Sequence, residues 1–251
     1  MTPTASTALL FVAGLWAGTQ NALAGGGSFV TLPALMISGL DARAANITST
    51  LALFPGQVTT GLAGRKMVSG AEGLSFRRLV VLSLAGGMVG ALLLLATPTS
   101  VFQAMLPWLI LIATGVFAWG SFKGGPAVSA RPRLGPLGAS AAQFVIAIYG
   151  GYFGGGIGFL MLAALTLAAL PVRAAGATKN VLAGVMNASA VVVFLFSHQI
   201  RWLNGAALCV GAIGGGLLGA WLLKRVREKW LRAAVVVLGV ALTIALFLGK
   251  L

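Results

Sequence analysis

The chain has 251 residues, of which 59% are apolar and only 8% charged, and its mean hydropathy is +1.00. Soluble domains carry about 25% charged residues, so a water-exposed globular fold is excluded and a polytopic membrane protein is expected. The formal charge of +14 is spread over short hydrophilic stretches, with no basic tail and no basic stripe interleaved with aromatics; it reads as membrane-protein loops, not as a nucleic-acid surface.

Ten apolar segments follow one another along the chain, at about 5–24, 28–39, 46–64, 78–96, 101–122, 137–153, 157–170, 174–197, 203–223 and 232–249. The N-terminal "MTPTAST" lacks the positive n-region of a cleavable signal and runs straight into the first of them. A spanning helix needs about 20 apolar residues, and two segments, 28–39 and 157–170, fall short. Each directly follows a glycine triplet: Gly25, Gly26 and Gly27 in "NALAGGGSFVTLPAL", and Gly154, Gly155 and Gly156 in "YFGGGIGFLMLAAL". Connections are short except for "KGGPAVSARPRLGP", which divides the chain into a first half, 1–122, a linker, 123–136, and a second half, 137–251.

The halves match each other. A shift of 130 places Gly25, Gly26 and Phe29 on Gly155, Gly156 and Phe159, and "LDARAANIT" on "LPVRAAGAT", pairing Arg43 with Arg173 and Thr48 with Thr178. A shift of 129 aligns "GGMVGALLL" with the stretch from Gly215 to Leu223. Such ordered matches point to a duplication. With five segments in each half, the halves insert in opposite orientations. Taking Lys224 to Arg232 as cytoplasmic, 14 basic residues fall inside and only Arg43, Arg201 and Lys250 outside. This obeys the positive-inside rule and puts both termini outside. The segments around each triplet are either two crossings or one re-entrant hairpin; the parity is the same. The expected architecture is therefore all-α, a bundle of two inverted-topology repeats with short broken or re-entrant helices after the glycine-rich breaks.

Irregular backbone at membrane depth costs several kcal/mol per unsatisfied group unless protein or a polar cavity satisfies it. Glycine permits the turn and lets a ligand approach the backbone. The short helices, starting near Ser28 and Gly158, present first-turn N–H groups without intrahelical acceptors, at the positive end of the helix dipole. Two such breaks in an inverted repeat can meet near the membrane midplane, the arrangement of many secondary transporters. The alternative for the triplets is close helix packing, the reading assigned to "AGGMVGA" and "IGGGLLGA".

Polar groups cluster after each short helix: Thr48, Ser49 and Gln57 in "ANITSTLALFPGQ", and Thr178, Lys179, Asn180 and Asn187 in "GATKNVLAGVMNAS". Gln57 and Asn187 correspond under the shift of 130. Amides and hydroxyls can donate to an oxyanion or simply bond between helices. Lys179 either reaches into a cavity or snorkels to the interface. Arg43 and Arg173 either draw anions in or anchor helix starts. Asp41, Glu72 and Glu228 are the only acids, all in or near loops, so an intramembrane carboxylate relay for cations is absent. One histidine, His198, and one cysteine, Cys209, leave no metal cage, no internal disulfide and no convincing nucleophile–base pair. No cofactor and no enzymatic activity are expected.

"ANITSTLALFPGQ" followed by "AGRK", and "GATKNVLAGVMNASAVVVFLF" followed by "IRWLNGAALCVGAIGGGLLGAWLLKRV", resemble the two repeats of the TauE/SafE family of sulfite and organosulfonate exporters. The resemblance covers nearly the whole chain and implies a multi-pass protein of the bacterial plasma membrane, bathed in lipid, that exports small sulfur-containing anions. Carried over by position, it assigns the site to Gly25 to Gly27, Thr48, Ser49 and Gln57 in one half, to which the helix-start argument adds Ser28. In the other it assigns Gly154 to Gly156, Thr178, Lys179, Asn180 and Asn187. Alternative expectations are transport of another organic anion, such as a carboxylate, or a non-transporting membrane scaffold.

Overall fold

In the computed structural model, residues 2–23, 26–71, 73–122, 135–222 and 228–249 are described. They form helices α1 (Pro3–Leu23), α2 (Ser28–Ile37), α3 (Ala42–Gly64), α4 (Phe76–Ala96), α5 (Thr99–Phe122), α6 (Pro136–Tyr152), α7 (Ile157–Leu167), α8 (Val172–Leu195), α9 (Trp202–Leu222) and α10 (Glu228–Phe247). Each apolar segment of the sequence corresponds to one helix. Gly25, Glu72, Lys250, most of the central linker and residues 224–227 of the basic loop lie outside the described residues.

Two helices start four residues earlier than hydropathy places them. The α3 helix begins at Ala42 rather than 46 because Asp41 caps it, its carboxylate accepting from the amides of Arg43 and Ala44 at 3.0 Å each. The α10 helix takes in Glu228, Lys229 and Trp230 before the apolar run begins. Polar first turns carry no hydropathy signal. Among the described residues, four helices are long and apolar enough to cross a membrane: Phe76–Ala96, Thr99–Trp119, Ala174–Leu195 and Trp202–Gly219. The short α2 and α7, with 10 and 11 residues, reach only about half the ~30 Å hydrocarbon thickness.

Two close helix pairs frame the bundle. In one, Gly14 and Gly18 of α1 lie against the backbone of Leu208 and Ala212 of α9, and Gly211 and Gly215 of α9 lie against Phe11 and Leu15. In the other, Gly86 and Gly90 of α4 lie against Phe144 and Ile148 of α6. A methyl group at any of these glycines would overlap a carbonyl of the facing helix. Lipid supplies no hydrophobic drive between helices, so such backbone contact supplies van der Waals attraction in its place. Contact positions rise together along both members of each pair, so α1 runs parallel to α9 and α4 parallel to α6.

The two pairs run in opposite directions. The α9 helix begins where Thr48 accepts from the Arg201 amide (3.3 Å) and Asn204 donates to Ser38 (3.3 Å). The α6 helix begins at the other end, where Pro136 abuts Gly73 of the α3–α4 loop. Each half's first helix thus packs against the other half's fourth. Relabelling α1–α5 as α6–α10 turns the α1–α9 contact into α6–α4, α3–α9 into α8–α4 and α2–α10 into α7–α5; α3–α8 and α5–α10 map onto themselves. Arg65, Lys66, Arg77 and Arg78 stand at the α3–α4 end, and Arg43 and Arg201 at the opposite end.

Candidate functional site

Both glycine-rich breaks are real interruptions, and the two are built differently. At the first, Gly26 takes φ +82°, a left-handed value that only glycine adopts without strain. Two consecutive amides at the end of α1 hold it: Gln20 Nε2 donates to the Gly26 carbonyl at 3.0 Å, and Asn21 Oδ1 accepts the Gly27 N–H at 2.7 Å. At the second, Gly154 and Gly156 take φ +80° and +73°, and the amides of Phe153 and Gly154 both donate to the Tyr149 carbonyl, at 2.9 and 3.3 Å. Positions 20 and 21 correspond to Gly150 and Gly151, so the second break has no side-chain clamp of this kind.

A cavity of about 100 Å³ opens between the N-termini of α2 and α7. It has room for a few waters or one small polyatomic ion. Seven of the residues expected at a site line it: Gly26 and Ser28 from the first break, Gln57 from α3, Gly154 and Gly156 from the second break, and Lys179 and Asn180 from α8. Gly158 lines it too, and a methyl group added there would lie 3.2 Å from the Lys179 ammonium. Lys179 therefore reaches the start of α7 rather than turning away to the interface. Ser28, Ile157 and Gly158, first-turn residues whose amides have no intrahelical acceptor, line this cavity.

The other expected residues stand elsewhere. Thr48 is fully buried and accepts from the Arg201 amide; its counterpart Thr178 bonds both the amide and the carbonyl of Ser69 at 3.2 Å. These two threonines tie helices to loops at opposite ends of the bundle. Ser49 is hydrogen-bonded to Thr31 of α2. Gly27 is buried and its N–H is taken by Asn21. Gly155 would, with a side chain, collide with the Phe153 ring, so its constraint is local packing. Asn187 sits behind the wall, where its Nδ2 donates to Gln57 Oε1. The two residues paired by the sequence repeat thus touch each other, and the buried Asn187 Oδ1 has no hydrogen-bond partner. Gly25 is outside the described residues.

Arg43 does not reach the cavity. Its guanidinium donates to Gln199 Oε1 (3.0 Å) and to the carbonyls of Thr97 (2.6 Å) and Leu95 (3.4 Å), clasping the α4–α5 and α8–α9 connections. In "AGGMVGA" all three glycines pack against neighbours, Gly87 against Met186 and Ser189. In "IGGGLLGA" Gly215 does so, but Gly216 faces the cavity with nothing within 4 Å of an added methyl. Sequence reasoning missed Gly18, Asn21, Thr60 and Gly216 as lining residues. The available signal was Asn21, an amide near the end of an apolar helix, six residues before the backbone N–H it holds. The wall holds amide, hydroxyl and ammonium donors, with no carboxylate among the lining residues.

The family described as sulfite exporter TauE/SafE matches residues 10–246. The chain belongs to the TauE/SafE family. Relatives include a probable membrane transporter protein of Haemophilus influenzae, 31% identical over 94% of this chain and 92% of that protein. Another, ORF9 of Sinorhizobium sp, is 32% identical over 95% and 91%. A third, YfcA of Escherichia coli K12, is 29% identical over 94% and 87%. No solved structure gives a significant match. This TauE/SafE protein is a multi-pass membrane transporter and not an enzyme.

Proposed function

We propose that this TauE/SafE protein carries small sulfur-containing anions, sulfite or sulfonates, outward across a bacterial plasma membrane. The observation that carries the reading is the cavity between the α2 and α7 N-termini, lined by the first residues of both helices, by neutral polar side chains and by Lys179, whose ammonium lies against Gly158. Hydrogen bonds to a charged acceptor are about twice as strong as neutral ones, and helix N-termini favour anions electrostatically. Neutral donors hold an oxyanion without the permanent charge that would prevent release. The basic α3–α4 end faces the cytoplasm by the positive-inside rule, and both termini face outward. The two halves act as inverted repeats around the shared site. The negative interior then drives anion exit by about 2.3 kcal/mol per charge per 100 mV.

The test is efflux from proteoliposomes loaded with sulfite or methanesulfonate. Protein-dependent efflux that rises when the lumen is made negative supports the reading. Folded protein that moves neither anion, or that moves acetate in preference to both, contradicts the sulfur-anion assignment.

A further inference from the structure

We infer that Asn21 is a substrate-contacting residue of the first half-site, and that Gln20 is the positioning residue that locks the break beside it. The inference rests on the anion-transport reading of the same cavity. Its basis is an amide orientation forced by chemistry. The Trp16 indole N–H can only donate, and it meets Gln20 Oε1 at 2.9 Å. The Gly26 carbonyl can only accept, and it meets Gln20 Nε2 at 3.0 Å. Gln20, 5% exposed, therefore has one possible orientation and fixes the left-handed Gly26. The Gly27 N–H can only donate, so the atom of Asn21 that meets it at 2.7 Å is Oδ1. With Oδ1 committed, Nδ2 is the donor Asn21 has left; it stands beside Gly27, 2.7 Å from where a Cβ there would be, on a residue that lines the cavity.

The corresponding position in the second half is Gly151, which packs against Gly87 and carries no side-chain donor. There the side-chain donors come from α8 instead, through Lys179 and Asn180. The half-sites are thus unequal. The α2 side supplies a neutral amide anchored to its own break, and the α7 side supplies the ammonium.

Two variants separate contact from clamping. Asn21→Ala loses both the Gly27 bond and the donors. Asn21→Asp keeps an acceptor for the Gly27 N–H, and strengthens it, but turns a carboxylate toward the solute. Methanesulfonate binding to the purified full-length protein is measured by calorimetry, with thermal unfolding alongside. Contact by Asn21 predicts that affinity falls about tenfold or more in Asn21→Ala and further in Asn21→Asp, while thermal stability of Asn21→Asp stays at or above that of Asn21→Ala. If Asn21→Asp binds as well as the wild type, or better than Asn21→Ala, Asn21 only clamps and the inference is overturned. Wild-type protein that binds none of methanesulfonate, sulfite and acetate overturns the anion reading itself, and this inference with it.

Discussion

Lys179 places its ammonium against Gly158, at the start of α7, where a side chain would crowd it. Replacing it by glutamine keeps a donor, on a side chain one atom shorter, but removes the charge. We expect Lys179→Gln to weaken methanesulfonate binding by about tenfold and to leave the yield of folded protein unchanged; wild-type affinity would remove the lysine from the site. At this scale the sequence was legible where a residue type has few uses. A glycine triplet inside an apolar run has few reasons to exist, and Gly26, Gly154 and Gly156 all take left-handed backbone beside the cavity. Hydroxyls were ambiguous. Thr48 and Thr178 match in the repeat and look like ligands, but the loops before α9 and α4 use them as backbone partners. Gly216 was hidden for the opposite reason: it shares its triplet with the packing residue Gly215, and only the helix register separates them.

The two short helices end in the same way. The Leu40 amide bonds the Leu35 carbonyl and the Gly39 amide the Met36 carbonyl; Leu170 with Leu165 and Ala169 with Thr166 repeat the pattern. Both are Schellman closures, which need a left-handed residue. The first half supplies Gly39 at φ +97°, but the second supplies Ala169 at φ +64°. A Cβ in that region costs roughly 1 kcal/mol. Ala169→Gly should recover part of this strain and raise the apparent unfolding temperature without altering anion affinity; a lowered unfolding temperature would contradict the account. Element positions were legible because lipid demands long apolar runs. Helix starts were less so, since the caps at Asp41 and Ser75 are polar and sit outside those runs.

Across the molecule, the cavity draws on the C-terminal half of α3, through Gln57 and Thr60, and the N-terminal half of α8, through Lys179 and Asn180. Both halves lie toward the basic α3–α4 end. At the opposite end the Arg43 clasp ties the connections together, and the Tyr152 carbonyl accepts from Asn46 at 3.0 Å. This arrangement faces the cytoplasm under the proposed orientation. A cysteine at Thr60, in a Cys209→Ser background, should react with a membrane-impermeant maleimide in inside-out vesicles and resist it in right-side-out ones. The reverse pattern would invert the orientation. The pairing of α1 with α9 and of α4 with α6 was not legible from hydropathy, because it depends on which glycines face which backbone. The Gly, Arg and Thr matches pair Gln57 with Asn187 in the sequence, and the two side chains meet at the α3–α8 crossing.

The most direct test is an experimental structure of the protein equilibrated with methanesulfonate. The account predicts the sulfonate oxygens within about 3 Å of the Ser28 and Gly158 amides, with Asn21 and Lys179 completing the shell. Anion density outside this cavity, or continuous helices running through 24–27 and 153–156, would contradict it.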